Sequence, residues 1–129
     1  MSTALVSANA DLNAKIAEFV KAADEVTAEY WEAQKFTFSP PPRHRADFLS
    51  DKWVRVVTLE QRGEEWKVAS VYAFIALVDN STKALGNVKA GDVHKAASFK
   101  APAKHARANV FDDDFRKALT SHGIVYLRH

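Results

Sequence analysis

Between Gly91 and Asp114 the chain reads GDVHKAASFKAPAKHARANVFDDD, which puts cations, one aromatic, an amide and a proline into a single short segment. His94, Lys95, Lys100, Lys104, His105 and Arg107 are potential phosphate donors, and Phe99 and Asn109 are of the types that stack on a base and hydrogen-bond to its edge. Phe99 lies outside any clear periodicity, flanked by Ser98 and Lys100, with Pro102 stiffening the chain after it. A ligand carrying both phosphate and base suits this mixture better than a hydrophobic core does. Residues 94–107 hold four Lys or Arg and no acid, whereas acids gather at Asp24, Glu25, Glu29 and Glu32 and again at Asp112 to Asp114. The net charge is only +2, far from the strongly positive balance of proteins that coat nucleic acid. The local basicity is therefore on the scale of a small anion.

Other chemistries find little to rest on. The sequence contains no GxxxxGK[ST], GxGxxG, GxSxG or HExxH, so phosphate-loop, dinucleotide-fold, esterase-elbow and zincin readings have no motif. It contains no Cys, which removes disulfides, thiolate metal sites and cysteine nucleophiles and fits a reducing compartment. Asp112, Asp113 and Asp114 are consecutive and point in different directions, which favours capping over metal binding. His94 and His105 are eleven residues apart through a prolyl segment, and an ordinary polar role is favoured over an acid/base pair of phosphodiesterase type.

The elements that must position these residues follow from periodicity. From Ala10 to Lys35, apolar residues at Leu12, Ile16, Phe19, Val20, Ala23, Val26, Tyr30 and Trp31 recur at close to helical spacing, with Asn9 or Asp11 available as cap and Pro40, Pro41 and Pro42 as the stop. This helix is longer than a small core needs, and its surplus apolar surface is available to its own sheet or to a partner subunit. Residues 39–51 read as a solvated, polyproline-like connector carrying Arg43, His44 and Arg45. Lys52 to Gln61 and Trp66 to Val78 read as two antiparallel strands joined by the Gly63 turn, the second of them central. A loop at 80–91 holding a short strand near Asn87 to Lys89 comes next, then a helix from Phe115 to Ser121 stopped by Gly123, then a last strand from Ile124 to Arg128. Trp31, Trp53 and Trp66 sit on periodic elements and read as core.

The expected fold is α+β, a long N-terminal helix packed on a small, largely antiparallel β-sheet or partial barrel. With 129 residues, 1–129 is expected to be a single domain: helix 1–38, connector 39–51 and β-rich ligand-binding core 52–129. No apolar run of membrane-spanning length and no signal-peptide pattern is present, so a cytoplasmic protein is expected.

The order SVYAFI, then GDV.KAASFKAPAKHARANVFDDD, then YLR near the C-terminus resembles the small phage proteins that antagonise Thoeris antiviral defence as sponges, the first-described type of Thoeris anti-defence protein. The resemblance covers about Lys52 to Arg128, and KAASFKAPAKHARANVF is its specific part. It implies a protein that is not an enzyme and needs no cofactor. Such a protein sequesters glycocyclic ADP-ribose signals in the cytoplasm of the infected host, as a homo-oligomer built of dimers that reach a hexamer. Some members also hold cyclic di- or trinucleotides. Carried over to this chain, Phe99 stacks on the adenine, Asn109 bonds to the ligand, Arg128 faces a phosphate, and Arg55 in WVRVV is a further arginine. Lys104 and Arg107 remain secondary cationic candidates. The loop 80–90 is longer than the family's tight turn, and Ala108 stands where Gly is expected. The alternatives are a single-stranded nucleic-acid binder using the same segment, a phosphodiesterase using His94 and His105, and a domain with only protein partners.

Overall fold

The structure, a computed structural model, describes residues 10–35, 40–83, 85–112, 115–120 and 123–124. It begins with helix α1 (Ala10–Ala33), 24 residues and therefore about 36 Å long. Its stripe of Leu12, Ile16, Phe19, Ala22, Ala23 and Thr27 is buried, as the period required. Asp11 lies in the first turn, where a carboxylate meets the positive end of the helix dipole. The chain leaves the helix through Lys35, whose φ of 57° is left-handed. The helix thus ends ahead of the prolines that had been expected to stop it.

Strands β1 (Arg43–Phe48), β2 (Trp53–Arg62), β3 (Glu65–Ala76), β6 (Asp92–Ala96) and β7 (Pro102–Asn109) form one antiparallel sheet in the order β1-β2-β3-β6-β7. Between β3 and β6 a small hairpin is made by β4 (Asn80–Thr82) and β5 (Gly86–Val88), so the expected short strand near Asn87 is present with a partner. The chain is α+β, with the helix on one face of an open, antiparallel sheet. Among the described residues no helix is long and apolar enough to cross a membrane.

Three expectations change. The connector 39–51 is not a solvated linker through its length, because Arg43 to Phe48 pair residue for residue with β2. The strand alternates, sending His44 inward to near-complete burial while Arg43 and Arg45 stay exposed. The segment 91–114, in which no strand was expected, is for the most part the β6–β7 hairpin. Phe115 to Ala118 form one turn of 3-10 helix, after which β8 (Leu119–Thr120) pairs with β9 (Gly123–Ile124), so Gly123 opens a strand instead of closing a helix. The expected central place of β3 holds, since it is the middle strand of the five, although it is flanked on both sides only around Phe74 and Ile75 and its first half pairs with β2 alone. Val68 is accordingly exposed.

The core lies between α1 and one sheet face. Val54, Val56, Ala73, Ile75 and Val93 meet Leu12, Ile16 and Phe19 there, closed at one end by Ala118 and Leu119. A bulge in β3 between the partners of Val56 and Val57 turns Tyr72 as well as Ala73 to this side. Phe19, fully buried, stacks edge-on with Tyr72 and lies against Phe115.

A polar chain runs through this packing and ties four elements together. His44 Nδ1 donates to Asp24 on α1 at 2.7 Å, the His44 ring packs edge-on against Tyr72, and the Tyr72 hydroxyl donates to the carbonyl of Thr120 at 2.6 Å. Burial pushes the Tyr72 hydroxyl well above the ordinary tyrosine range. His44 is pulled below its ordinary value of 6.5: burial outweighs the opposing pull of the Asp24 carboxylate. Its other nitrogen, Nε2, is buried without a partner among the described residues, so a second proton there has nothing to bond to. The native state therefore resists a proton that the unfolded chain accepts below about 6.5, and stability is full above that value and falls as pH drops through it. Thermal unfolding at about pH 7.5 and about pH 5.5 should show a lower Tm at the acid value, with the decrement reduced in His44→Gln. An identical pH slope in the two proteins would remove His44 from this role.

Candidate functional site

The face of the sheet away from α1 carries the residues of interest. Alternation places Val54 and Val56 in the core, so Trp53, Arg55 and Val57 point the other way. The register then lays one row across four strands: Asp47 opposite Arg55, Arg55 opposite Phe74, and Phe74 opposite His94. Phe74 and His94 are almost fully buried although, among the described residues, no helix lies over this face. Trp53 is half-buried beside them, edge-on to Phe74 at 6.4 Å and to His94 at 5.4 Å between ring centroids.

The β6–β7 loop, residues 97–101, reaches over this face. Ala97 and Ser98 both donate backbone N–H groups to the carbonyl of Ala101, and the Lys100 N–H bonds to the Ser98 hydroxyl, which closes the loop tightly. From there Phe99 reaches Arg55: its carbonyl accepts from Arg55 Nη1 at 3.1 Å, and the guanidinium carbon lies 4.2 Å from the centre of its ring. Since β3 lies between β2 and β6 in the sheet, this contact requires the loop to fold back over β3. Phe99 remains half exposed, at 50%.

Arg55 is the most exceptional group here. Its guanidinium makes no ion pair among the described residues, its Nε is buried and unpartnered, and the carboxylate opposite it, Asp47, is held by Arg45 through two bonds of 2.7 and 3.1 Å. A second stack occurs further along the same face, where Arg43 lies 4.4 Å from the centre of the Trp66 ring. None of Trp31, Trp53 and Trp66 is fully buried, which corrects their reading as core; the tryptophans of β2 and β3 serve the open face.

The structure thus brings Arg55 and Phe99 together from 44 positions apart. It gives the other candidates different work. Asn109 donates both amide hydrogens inward, to the carbonyl of Ala90 at 3.1 Å and to Asp92 at 3.0 Å, while its oxygen accepts from the Phe111 N–H at 2.9 Å. These bonds wrap the turn at Gly91, where φ is 88° and an added Cβ would stand 2.9 Å from both the Asn109 oxygen and the Phe111 ring. Lys104 is exposed on β7. Arg107 sits at the β7 bulge and folds its Nη1 back onto the carbonyls of Lys104 and His105, leaving Nε buried without a partner among the described residues. Arg128 lies outside the described residues, as do Asp113 and Asp114. His105 is exposed with φ of 72°, whereas His94 is buried and donates Nδ1–H to the carbonyl of Ala103 at 2.7 Å. Among the described residues no three acidic or histidine side chains are placed to hold a metal ion.

Sequence reasoning passed over Trp53 and Phe74 as parts of the site and undervalued His94. The signal for His94 was available in DVHKA, where a buried Val93 at strand period puts its neighbour on the opposite face.

Residues 12–124 match the profile of a family of unknown function (DUF7717). The chain belongs to that family. No curated protein and no solved structure matches it. What the DUF7717 chain does must therefore be argued from its own face of rings and arginines.

Removing the Asn109 amide leaves a buried turn without three bonds, so Asn109→Ala should lower unfolding free energy by about 1–3 kcal/mol in urea titration. An unchanged midpoint would return Asn109 to the pool of ligand contacts. Arg55→Ala, at a group without an ion pair, should cost under about 1 kcal/mol in the same experiment.

Proposed function

We propose that this protein binds and sequesters a small nucleotide signal of the cyclic ADP-ribose type without cleaving it, acting as a phage anti-defence sponge. The observation that carries the reading is the Arg55–Phe99 pair: an unpaired guanidinium stacked beneath a half-exposed ring, on a face otherwise floored by Phe74 and Trp53. A flat base finds a stacking surface on the free side of Phe99, and a phosphate finds charge-assisted donors on Arg55. The Phe99 carbonyl, already bonded to Arg55, occupies one donor in the way a phosphate oxygen would. The resemblance of segment 95–111 to the anti-Thoeris sponges supports the same ligand class, with Arg128 as a further phosphate contact. In this reading Asn109 shapes the turn beside the site, and Lys104 and Arg107 contribute local positive charge. The protein acts as a homo-oligomer, a dimer or a hexamer, in the cytoplasm of the infected host, and has no cofactor. Cyclisation of the ligand favours tight retention because fewer torsions must be frozen on binding.

A second reading, binding of single-stranded nucleic acid, draws on one specific observation. The Arg43–Trp66 and Arg55–Phe99 stacks lie on one face, their arginines opposite Leu59 and on β2 itself at position 55, about 13 Å apart along the strand. Two cation–aromatic steps in line suit a chain of bases.

Purified protein should be mixed with glycocyclic ADP-ribose, freed of unbound ligand and heat-denatured. Intact ligand in the supernatant is the expected result; no ligand, or a hydrolysed product, would overturn the sponge. Phe99→Ala and Arg55→Ala should each weaken retention by about tenfold or more. If the nucleic-acid reading holds instead, affinity for a short oligonucleotide will fall steeply and linearly with salt on a log–log plot.

A further inference from the structure

We infer that His94 is a ligand contact: its Nε2 accepts a hydrogen bond from a sugar hydroxyl of the nucleotide whose phosphate is held by Arg55. This assignment rests on the binding reading above and adds to it the group that recognises the sugar.

The tautomer follows from the contacts. Nδ1 lies 2.7 Å from the carbonyl of Ala103, and a carbonyl oxygen only accepts, so Nδ1 carries the proton. Nε2 of the neutral ring is then a bare lone pair. It is buried and has no partner among the described residues, in a residue that is 2% exposed. A buried acceptor left without a donor costs about 1–3 kcal/mol, and such groups in folded proteins ask for an explanation. The bond at Nδ1 also fixes the ring plane, so the lone pair is held ready in one direction.

Its position specifies the kind of donor. His94 and Arg55 flank Phe74 in one row of the sheet, two inter-strand spacings or about 10 Å apart at the backbone. A lone pair repels a phosphate oxygen and welcomes an O–H, while the Arg55 guanidinium does the reverse. The two groups therefore sort the ends of a sugar phosphate, phosphate to Arg55 and hydroxyl to His94. The Phe74 ring lies between them, and Trp53 stands edge-on to both His94 and Phe74 as an apolar wall for the sugar ring. Access requires the loop 97–101 to lift from β3. Its anchor to the sheet at Arg55 includes the Phe99 carbonyl bond, which an incoming phosphate oxygen replaces in kind while the base stacks on the free side of the Phe99 ring.

The test is nitrogen-detected NMR of the full-length wild-type protein, with and without cyclic ADP-ribose, alongside calorimetry of the same pair. On binding, the His94 Nε2 resonance should move upfield from the position of a free imine nitrogen, with the proton remaining on Nδ1. His94→Phe, which keeps a ring against Trp53 and removes the acceptor, should bind about tenfold more weakly. Binding with an unmoved Nε2 resonance would overturn the role of His94 while leaving the sponge standing. Failure of the wild-type protein to bind either cyclic ADP-ribose or glycocyclic ADP-ribose would overturn both. The NMR measurement needs no variant, so it decides the matter even where His94→Phe does not fold.

Discussion

A helix with its side chains is about 10 Å across, whereas five strands at their usual spacing span about 19 Å. The helix Ala10–Ala33 can therefore bury only one side of the sheet it packs on, and the same alternation that feeds Val54, Val56, Ile75 and Val93 to it delivers Trp53, Arg55, Phe74 and His94 to the opposite side. Those side chains carry too much apolar surface to be left in water and too much polarity to form a core of their own. Among the described residues it is the five-residue loop 97–101 that reaches over them, through Phe99. Loop 97–101 is small enough to be held at Arg55 by one stack and one carbonyl bond, which makes the cover of this face its least expensive element to move.

The two faces treat their buried histidines in opposite ways. His44, on the helix side, has its Nδ1 proton taken by the Asp24 carboxylate, and its neighbour Tyr72 is anchored to Thr120; the polar groups there link α1, β1, β3 and the C-terminal hairpin into one unit. His94, on the other side, packs on Trp53, and its hydrogen bond among the described residues stays within its own hairpin, at Ala103. A group that joins distant elements contributes to cooperativity of the fold, whereas one bonded within its hairpin leaves the remainder of its bonding capacity to whatever occupies the face. This asymmetry is the reason to seek function on the side without the helix.

Much of the fold was legible because its signals are local and strong. The 3.6-residue stripe from Leu12 to Thr27 and the alternating pair of strands around Gly63 are dictated by which residues must be buried together. The misreadings share a cause. Arg43 to Arg45 and His94 to Arg107 look like solvated, basic segments when charges are counted along the chain, yet a strand needs only every second residue to turn inward, and His44, Ala46 and Val93 do so. Asn109 was legible as a special residue and not as a structural one, since the turn it wraps depends on Gly91 and Ala90 meeting it from across the hairpin.

The Arg55–Phe99 contact shows where sequence reasoning runs out. Each residue stood out for its own reason, Phe99 for lying outside any periodicity and Arg55 as an arginine among valines, but nothing in the spacing of 44 positions says that they touch. That fact comes from strand order: β3 alone separates β2 from β6, which brings the loop after β6 within reach of Arg55 on β2. The sheet order also decides that Asp47, directly opposite Arg55, is the carboxylate that could have neutralised it. Arg45, two residues before Asp47 on the same face, takes that carboxylate with both of its oxygens. Arg55 is thereby left half-buried and, among the described residues, without a carboxylate partner. Burying a charge without a partner is costly, and a fold keeps such a group at low cost only if something else supplies the counter-charge. The anion that Arg55 lacks within its own sheet is the strongest physical reason for expecting one to arrive from outside.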